Sequence, residues 1–170
     1  IRLVMLRPNE LMEFCEFAGT NADDILIWVG KTLGKSLMER YFYGKDWSTE
    51  NMANKKEVVL GILEALILMG YGAVTGQFRK DHILIDVYES LATEEKDNIM
   101  AKNLCILYLG IFNGVFEVLG IDVDGKEIEC VLSGDDKCSY KFDLLGEELD
   151  DKLVDEEISE EAVSEFLASL

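Results

Sequence analysis

Apolar residues recur along this chain at two different periods, and the switch between them predicts where helices give way to strands. Ile25, Val29, Leu33, Leu37 and Tyr41 fall at every fourth position, with Trp28 and Met38 widening the stripe. This spacing predicts an amphipathic helix of several turns, opened by Thr20 and Asp23 near the positive end of its dipole. Ahead of it, Pro8 suits the first turn of a short helix, where amides have no partners to lose. Leu11, Phe14, Cys15 and Ala18 share one face of that helix before Gly19 ends it. The polar stretch 44–54 reads as a loop. A third helix from about Lys55 to Met69 carries Val58, Val59, Ile62, Leu63, Leu66 and Ile67.

Gly70 and Gly72 break the helical period. Beyond them Ile83, Ile85 and Val87 alternate with Leu84, Asp86 and Tyr88, the period of a strand with one wetter face. With residues 71–79 and the polar turn Lys80-Asp81-His82, this predicts an antiparallel hairpin. Thr93 is placed to cap a long fourth helix through about Leu119, whose second half is apolar nearly all round. Two further strands are expected at 127–132 and 139–145, joined by Ser133-Gly134-Asp135-Asp136-Lys137. Helices, hairpin, helix, hairpin is the order of an α+β domain, an antiparallel sheet of about four strands against helices. The expected division is a small-molecule-binding α+β domain over 1–145 and an acidic C-terminal helix or tail over 146–170. Leu149, Leu153, Ile158, Ala162, Phe166 and Leu170 lie at helix-compatible intervals in that tail.

Composition narrows the function. A chain of 170 residues that is 49% hydrophobic with a single proline can bury a full core, which excludes low-complexity and linker-rich classes. Thirty-four acidic against 16 basic residues give a net charge of −18. Nucleic acid and anionic membrane surfaces bind through concentrated positive charge, so neither is an expected direct partner. The most apolar stretch, 104–119, is shorter than the roughly 20 residues of a bilayer span and includes Asn113 and Glu117. Four cysteines, Cys15, Cys105, Cys130 and Cys138, are few for a disulfide scaffold of this size. Reduced thiols in a cytoplasm are the expectation.

The stretch from Cys105 to Phe142 carries the chemistry. Cys105 is followed on an apolar helix by Gly110 and Gly114; then come Glu127-Ile128-Glu129-Cys130, Gly134 and Cys138-Ser139-Tyr140. Together with Gly70-Tyr71-Gly72 and the preceding amphipathic helices, this pattern resembles the vinyl-reductase-type (4-vinyl reductase) hydrocarbon-binding domain family. That family is related to the ligand-sensing domains of aromatic-responsive bacterial regulators and, more distantly, to a vesicle-tethering subunit fold. The resemblance covers roughly residues 22–145. It implies a structural zinc held by Cys105, Glu127, Cys130 and Cys138, a donor set that fills the four positions zinc prefers and leaves none for an activating water. Taken as residues alone, with no Cys-x-x-Cys pair, these cysteines suit burial as small hydrophobes better than zinc, and a disulfide across the hairpin comes well behind in a reducing compartment. Glu127 must precede its strand or sit at a bulge, because in a regular strand it faces away from Cys130; Glu129 is the substitute of opposite register. Cys15 lies outside the pattern and reads as core.

Catalysis finds no foothold. The single histidine, His82, falls in a predicted turn, no activating motif surrounds any serine or cysteine, and no phosphate-cradling signature is present. The resemblance instead implies an apolar pocket for a small hydrophobic or aromatic molecule between the third helix, the Gly-rich strand and the fourth helix. Its expected lining is Ile62, Leu66, Gly72, Val74, Gly76, Leu107, Ile111 and Phe112. A sensor or carrier follows, expected as a homodimer because a twin could cover the all-apolar fourth helix. The alternatives are an accessory subunit of tetrapyrrole vinyl-group reduction and an assembly module without a ligand.

Overall fold

The computed structural model describes residues 7–41 and 44–170. Pro8 opens α1 (Pro8–Ala18), and the Glu10 carboxylate accepts from the Arg7 backbone N–H at 3.0 Å. A single 3₁₀ turn at Gly19–Asn21 leads into α2 (Ala22–Tyr41). The stretch 44–54 is not all loop. The Asn51 side chain accepts from the Asn54 N–H and caps α3 (Met52–Leu68), so that helix begins three residues before the apolar pattern does. Gly70 and Gly72, both at positive φ, turn the chain into β1 (Ala73–Phe78), which pairs with β2 (His82–Tyr88).

The fourth helix starts later than its pattern suggests. Thr93–Glu95 and Ile99–Ala101 form separate 3₁₀ turns, because Asn98 is extended and its side chain accepts from Met100 N–H. Helix α4 therefore runs Lys102–Leu119. Strand β3 (Val123–Glu129) lies upstream of its expected place. Cys130 N–H donates to Asp135 Oδ2 at 2.8 Å and residues 131–133 coil into a 3₁₀ turn, so the chain leaves the sheet there. It returns as β4 (Cys138–Leu144). The sheet order is β1-β2-β4-β3, antiparallel throughout: an α+β domain of one sheet against helices.

Alternation assigns the faces. Val74, Phe78, Ile83, Ile85, Val87, Tyr140 and Phe142 point into one core with α3 and α4. Helix α4 is the middle layer. Tyr108 and Phe112 pack tilted or edge-on against Tyr140, and Phe112 and Phe116 likewise against Phe142, while Gly110 and Gly114 face α2. A Cβ on Gly110 would lie 2.6 Å from the Ile27 carbonyl oxygen, and one on Gly34 would lie 2.2 Å from that of Ile111, so these glycines let two helix backbones touch. Helix α2 thereby covers the apolar half of α4 within one chain, which removes the reason for invoking a twin. Among the described residues, one helical stretch, Ile99–Leu119, is long and apolar enough to cross a membrane, and 67% of its 18-residue apolar window is buried inside the protein.

Some side chains depart from the pattern. Trp28 and Phe14 are exposed, and the Tyr41 side chain lies outside the described residues. Asp86, on the expected wetter face, is only 3% exposed. Beyond β4 the chain straps the sheet edge: Leu149 N–H donates to Lys80 O and Asp155 N–H to Phe78 O, both at 2.8 Å. The Asp155 carboxylate in turn receives Phe78 N–H and pairs with Lys56. Helix α5 (Glu160–Ser169) follows, with no side chain fully buried.

Candidate metal centre

Three elements bring the four donors together. Cys105 lies in the first turn of α4, among the buried side chains that face the sheet. Cys138 is the first residue of β4, opposite Val87 in register, and points to the same face as Tyr140 and Phe142. Cys130 ends the β3 side of the hairpin, held by Asp135, whose carboxylate takes its N–H and whose own N–H returns to the Cys130 carbonyl. Glu127 sits opposite Tyr140 in unbroken register, on the core face; the register then slips between Glu127 and Glu129, so that Glu129 pairs with Ser139 and Cys130 follows on the same face as Glu127. Glu129 instead lies 3.8 Å from the Lys137 ammonium.

The ligand atoms of Cys105, Glu127, Cys130 and Cys138 all lie within 4.8 Å of one another. Cys105 Sγ is 3.6 Å from Cys130 Sγ and 3.9 Å from Cys138 Sγ. A tetrahedral zinc with bonds of about 2.3 Å to sulfur separates its thiolates by about 3.8 Å. The sulfurs are free thiols, and Cys15, also free, is buried in a separate small cluster with Ala22 and Leu26.

Electrostatics sorts the thiols. The Cys138 thiol is pulled down to about 7, chiefly by the hydrogen bond from Cys105, against burial and with help from the Val131 N–H and the Ser90 hydroxyl. Cys105 is pushed far up by that same hydrogen bond, by burial and by the neighbouring charges of Cys138, Glu127 and Cys130. Burial lifts Cys130 to about 11, opposed by the Leu132 N–H. Only Cys138 is drawn toward ionisation, so a cation held here would take up its thiolate and displace protons from Cys105 and Cys130.

Of the eight residues expected to line a pocket, six lie in the core and two are glycines at close approaches. Ile62, Leu66, Val74, Leu107, Ile111 and Phe112 are all buried in the one hydrophobic core. A Cβ on Gly76 would meet Leu63 Cδ1 at 2.6 Å, and one on Gly72 the Tyr88 carbonyl oxygen at 2.6 Å. The glycines thus admit neighbouring chain rather than open space. Surface depressions of about 300 and 560 Å³ lie elsewhere, one between the α1–α2 corner and the start of α4, the other along Glu94–Ile99. His82 begins β2 beside Asp81, at the far end of that strand from the cysteines.

Sequence reasoning missed three polar partners of the cluster. Ser90 Oγ lies 3.6 Å from Cys138 Sγ, Asp135 holds Cys130, and Tyr140 donates its hydroxyl to the Cys105 carbonyl at 3.0 Å. Only Asp135 had a local signal, an Asp beside the glycine of a tight turn.

No family model matches the chain, and no curated protein matches it. Solved structures do share its fold. The phenol-responsive sensory domain of the transcription activator PoxR, with phenol, superposes with a TM-score of 0.63 at 14% identity, covering 98% of this chain and 83% of that one. An H-NOX protein from S. oneidensis in the Fe(II)NO ligation state gives 0.60 at 15% identity over 86% and 80%. A trafficking protein particle complex subunit 3 from Naegleria fowleri, covalently bound to palmitic acid, gives 0.57 at 14% identity over 84% and 93%. The fold is thus one that ligand-sensing domains use, and none of these likenesses supports the vinyl-reductase assignment.

Proposed function

We propose that this chain is a sensor or carrier domain for a small hydrophobic or aromatic molecule, braced by a structural zinc ion on Cys105, Glu127, Cys130 and Cys138. The observation that carries the metal half is the convergence of three sulfurs and one carboxylate from α4, β3 and β4, with sulfur spacings of 3.6 and 3.9 Å. These residues fit zinc by donor type and count, and four protein donors leave no open position for chemistry. Bound there, the ion would neutralise charge and tie the long helix to the last hairpin. Four free thiols suit a reducing compartment such as the cytoplasm.

The ligand half rests on the shared fold, since a phenol-responsive domain, a haem-type gas-ligated protein and a palmitate-bound subunit all have it. In this chain the interior between α4 and the sheet is filled by Tyr108, Phe112, Tyr140 and Phe142, so a ligand bound there has to part these rings. That filled interior favours a second reading, an assembly module with no small ligand. Metal analysis of the purified protein before and after chelation, with melts in a panel of phenols and fatty acids, tests both halves. One equivalent of zinc and a concentration-dependent rise in melting temperature are expected. Metal-free protein that takes up no zinc overturns the metal half; a melt unmoved by every compound leaves the assembly reading.

A further inference from the structure

The positions of the hairpin donors depend on where their strands are held, and the two residues flanking Cys138 are held by the same carboxylate. Lys137 Nζ lies 2.6 Å from Asp86 Oδ2, and Ser139 Oγ donates to Asp86 Oδ1 at 2.6 Å. Asp86 is on β2, directly opposite Ser139 in register, with its neighbour Val87 opposite Cys138. Alternation puts the Cys138 sulfur on the core face and the Asp86 carboxylate on the other, so Asp86 grips the strand from behind the thiol. The grip continues sideways. The Lys137 ammonium also lies 3.8 Å from Glu129, the residue before Cys130, and 5.6 Å over the Tyr88 ring. One chain of charges therefore runs from β2 past the start of β4 to the end of β3, along the backs of two cysteines.

A carboxylate buried this deeply is costly unless its oxygens are paired, and a neutral pair across the same strands would carry no such cost. Both oxygens are engaged, each by a residue adjoining Cys138.

We propose that Asp86 is the positioning residue of the metal centre. Through Lys137 and Ser139 it fixes the first residue of β4 so that the Cys138 thiolate meets the ion, without touching the ion itself. The inference rests on the metal reading of the cluster but adds a residue to which that reading assigns no role. It is tested on the full chain with cobalt(II) as the probe, by the visible bands of tetrahedral cobalt and the near-ultraviolet thiolate-to-cobalt absorption, which counts bound sulfurs. Wild-type protein is expected to bind one equivalent with a three-thiolate spectrum. Asp86→Ala is expected to weaken binding roughly 10–100-fold and to lower the thiolate absorption per cobalt. Lys137→Met and Ser139→Ala each remove one arm and are expected to lose less, which keeps the test decisive if Asp86→Ala does not fold. The double variant Asp86→Asn/Lys137→Met, free of unpaired buried charge, is expected to fold as stably as wild type yet keep the altered spectrum. An Asp86→Ala protein, or single-arm variants, with wild-type affinity and the full three-thiolate band would overturn the positioning role and leave the metal reading intact. A wild-type protein without a thiolate–cobalt band would overturn the metal reading, and this inference with it.

Discussion

At the scale of single residues, the thiols dictate a pH response. A metal takes thiolates, so it must displace protons from Cys105 and Cys130, which the fold holds protonated. Zinc affinity is therefore expected to rise with pH and to fall steeply below about 7, where Cys138 too gains a proton; a competition titration against a chelator at several pH values reads this directly. In the metal-free protein the signs differ. Cys138, lowered from an ordinary 9.0, contributes stability above that value that is lost as pH falls through about 7. Cys130, raised to about 11, contributes stability below 9.0 that is lost as pH rises through its folded value. Chelator-treated protein should accordingly melt lower as pH climbs from 9 to 11, and a Cys130→Ser variant should lack its share of that drop. Cys105→Ser should abolish stoichiometric metal binding, and with it any stabilisation by zinc, while a loss confined to stability with binding intact would count against the site. The four clustered residues were named from the sequence, and so was the parity conflict between Glu127 and Cys130 that puts Glu127 ahead of its strand or at a bulge, because side-chain direction in a strand alternates. Their supporting polar groups were not: Ser90 and Asp86 come from β2 and its following loop, and nothing local marks a residue that meets its partner about fifty positions on.

At the scale of elements, α2 and α4 are joined by backbone contact through Gly30, Gly34, Gly110 and Gly114. Gly110→Ala places a methyl 2.6 Å from a carbonyl oxygen that cannot rotate away, so the helices must separate. A loss of about 2–3 kcal/mol in chemical denaturation is expected; an unchanged midpoint would mean that the helices lie further apart. The C-terminal strap is held differently, by hydrogen bonds at the sheet edge and the Lys56–Asp155 pair. Asp155→Ala should speed amide exchange across 146–170 while moving global stability by only about 1 kcal/mol. The periodicities gave the identity of the domain's main helices and strands, but Leu149, Leu153 and Ile158, spaced as for a helix, lie in the strap ahead of α5. What they could not give were ends set by single side chains: Asn51 starts α3 early, Asn98 delays α4, and Asp135 pulls residues 130–133 out of β3. They were also blind to whether small residues meet a ligand or a neighbour. Gly110 and Gly114 repeat every fourth position, which fixes a shared helix face but not what lies across it.

At the scale of the whole molecule, one core serves the helices and the sheet, and the argument over ligand binding turns on how easily it opens. Phe112 is almost fully buried and touches Tyr108, Tyr140 and Phe142, so it stands where an aromatic ligand would meet the most rings. A site that exists only in a minor open state binds with its intrinsic affinity reduced by the fraction open. Phe112→Ala removes the ring that closes the space, at an expected cost of about 3–5 kcal/mol, and leaves an apolar void of the kind that accepts benzene-sized molecules. For a sensor with a closed resting state, phenol should stabilise both proteins, and the variant should bind it more tightly and faster because the opening step is gone. For an assembly module the wild type should ignore phenol at every concentration while only the variant responds. Thermal shifts together with binding rates separate these outcomes, because the first couples the core to a ligand and the second shows a core that merely tolerates one once carved open.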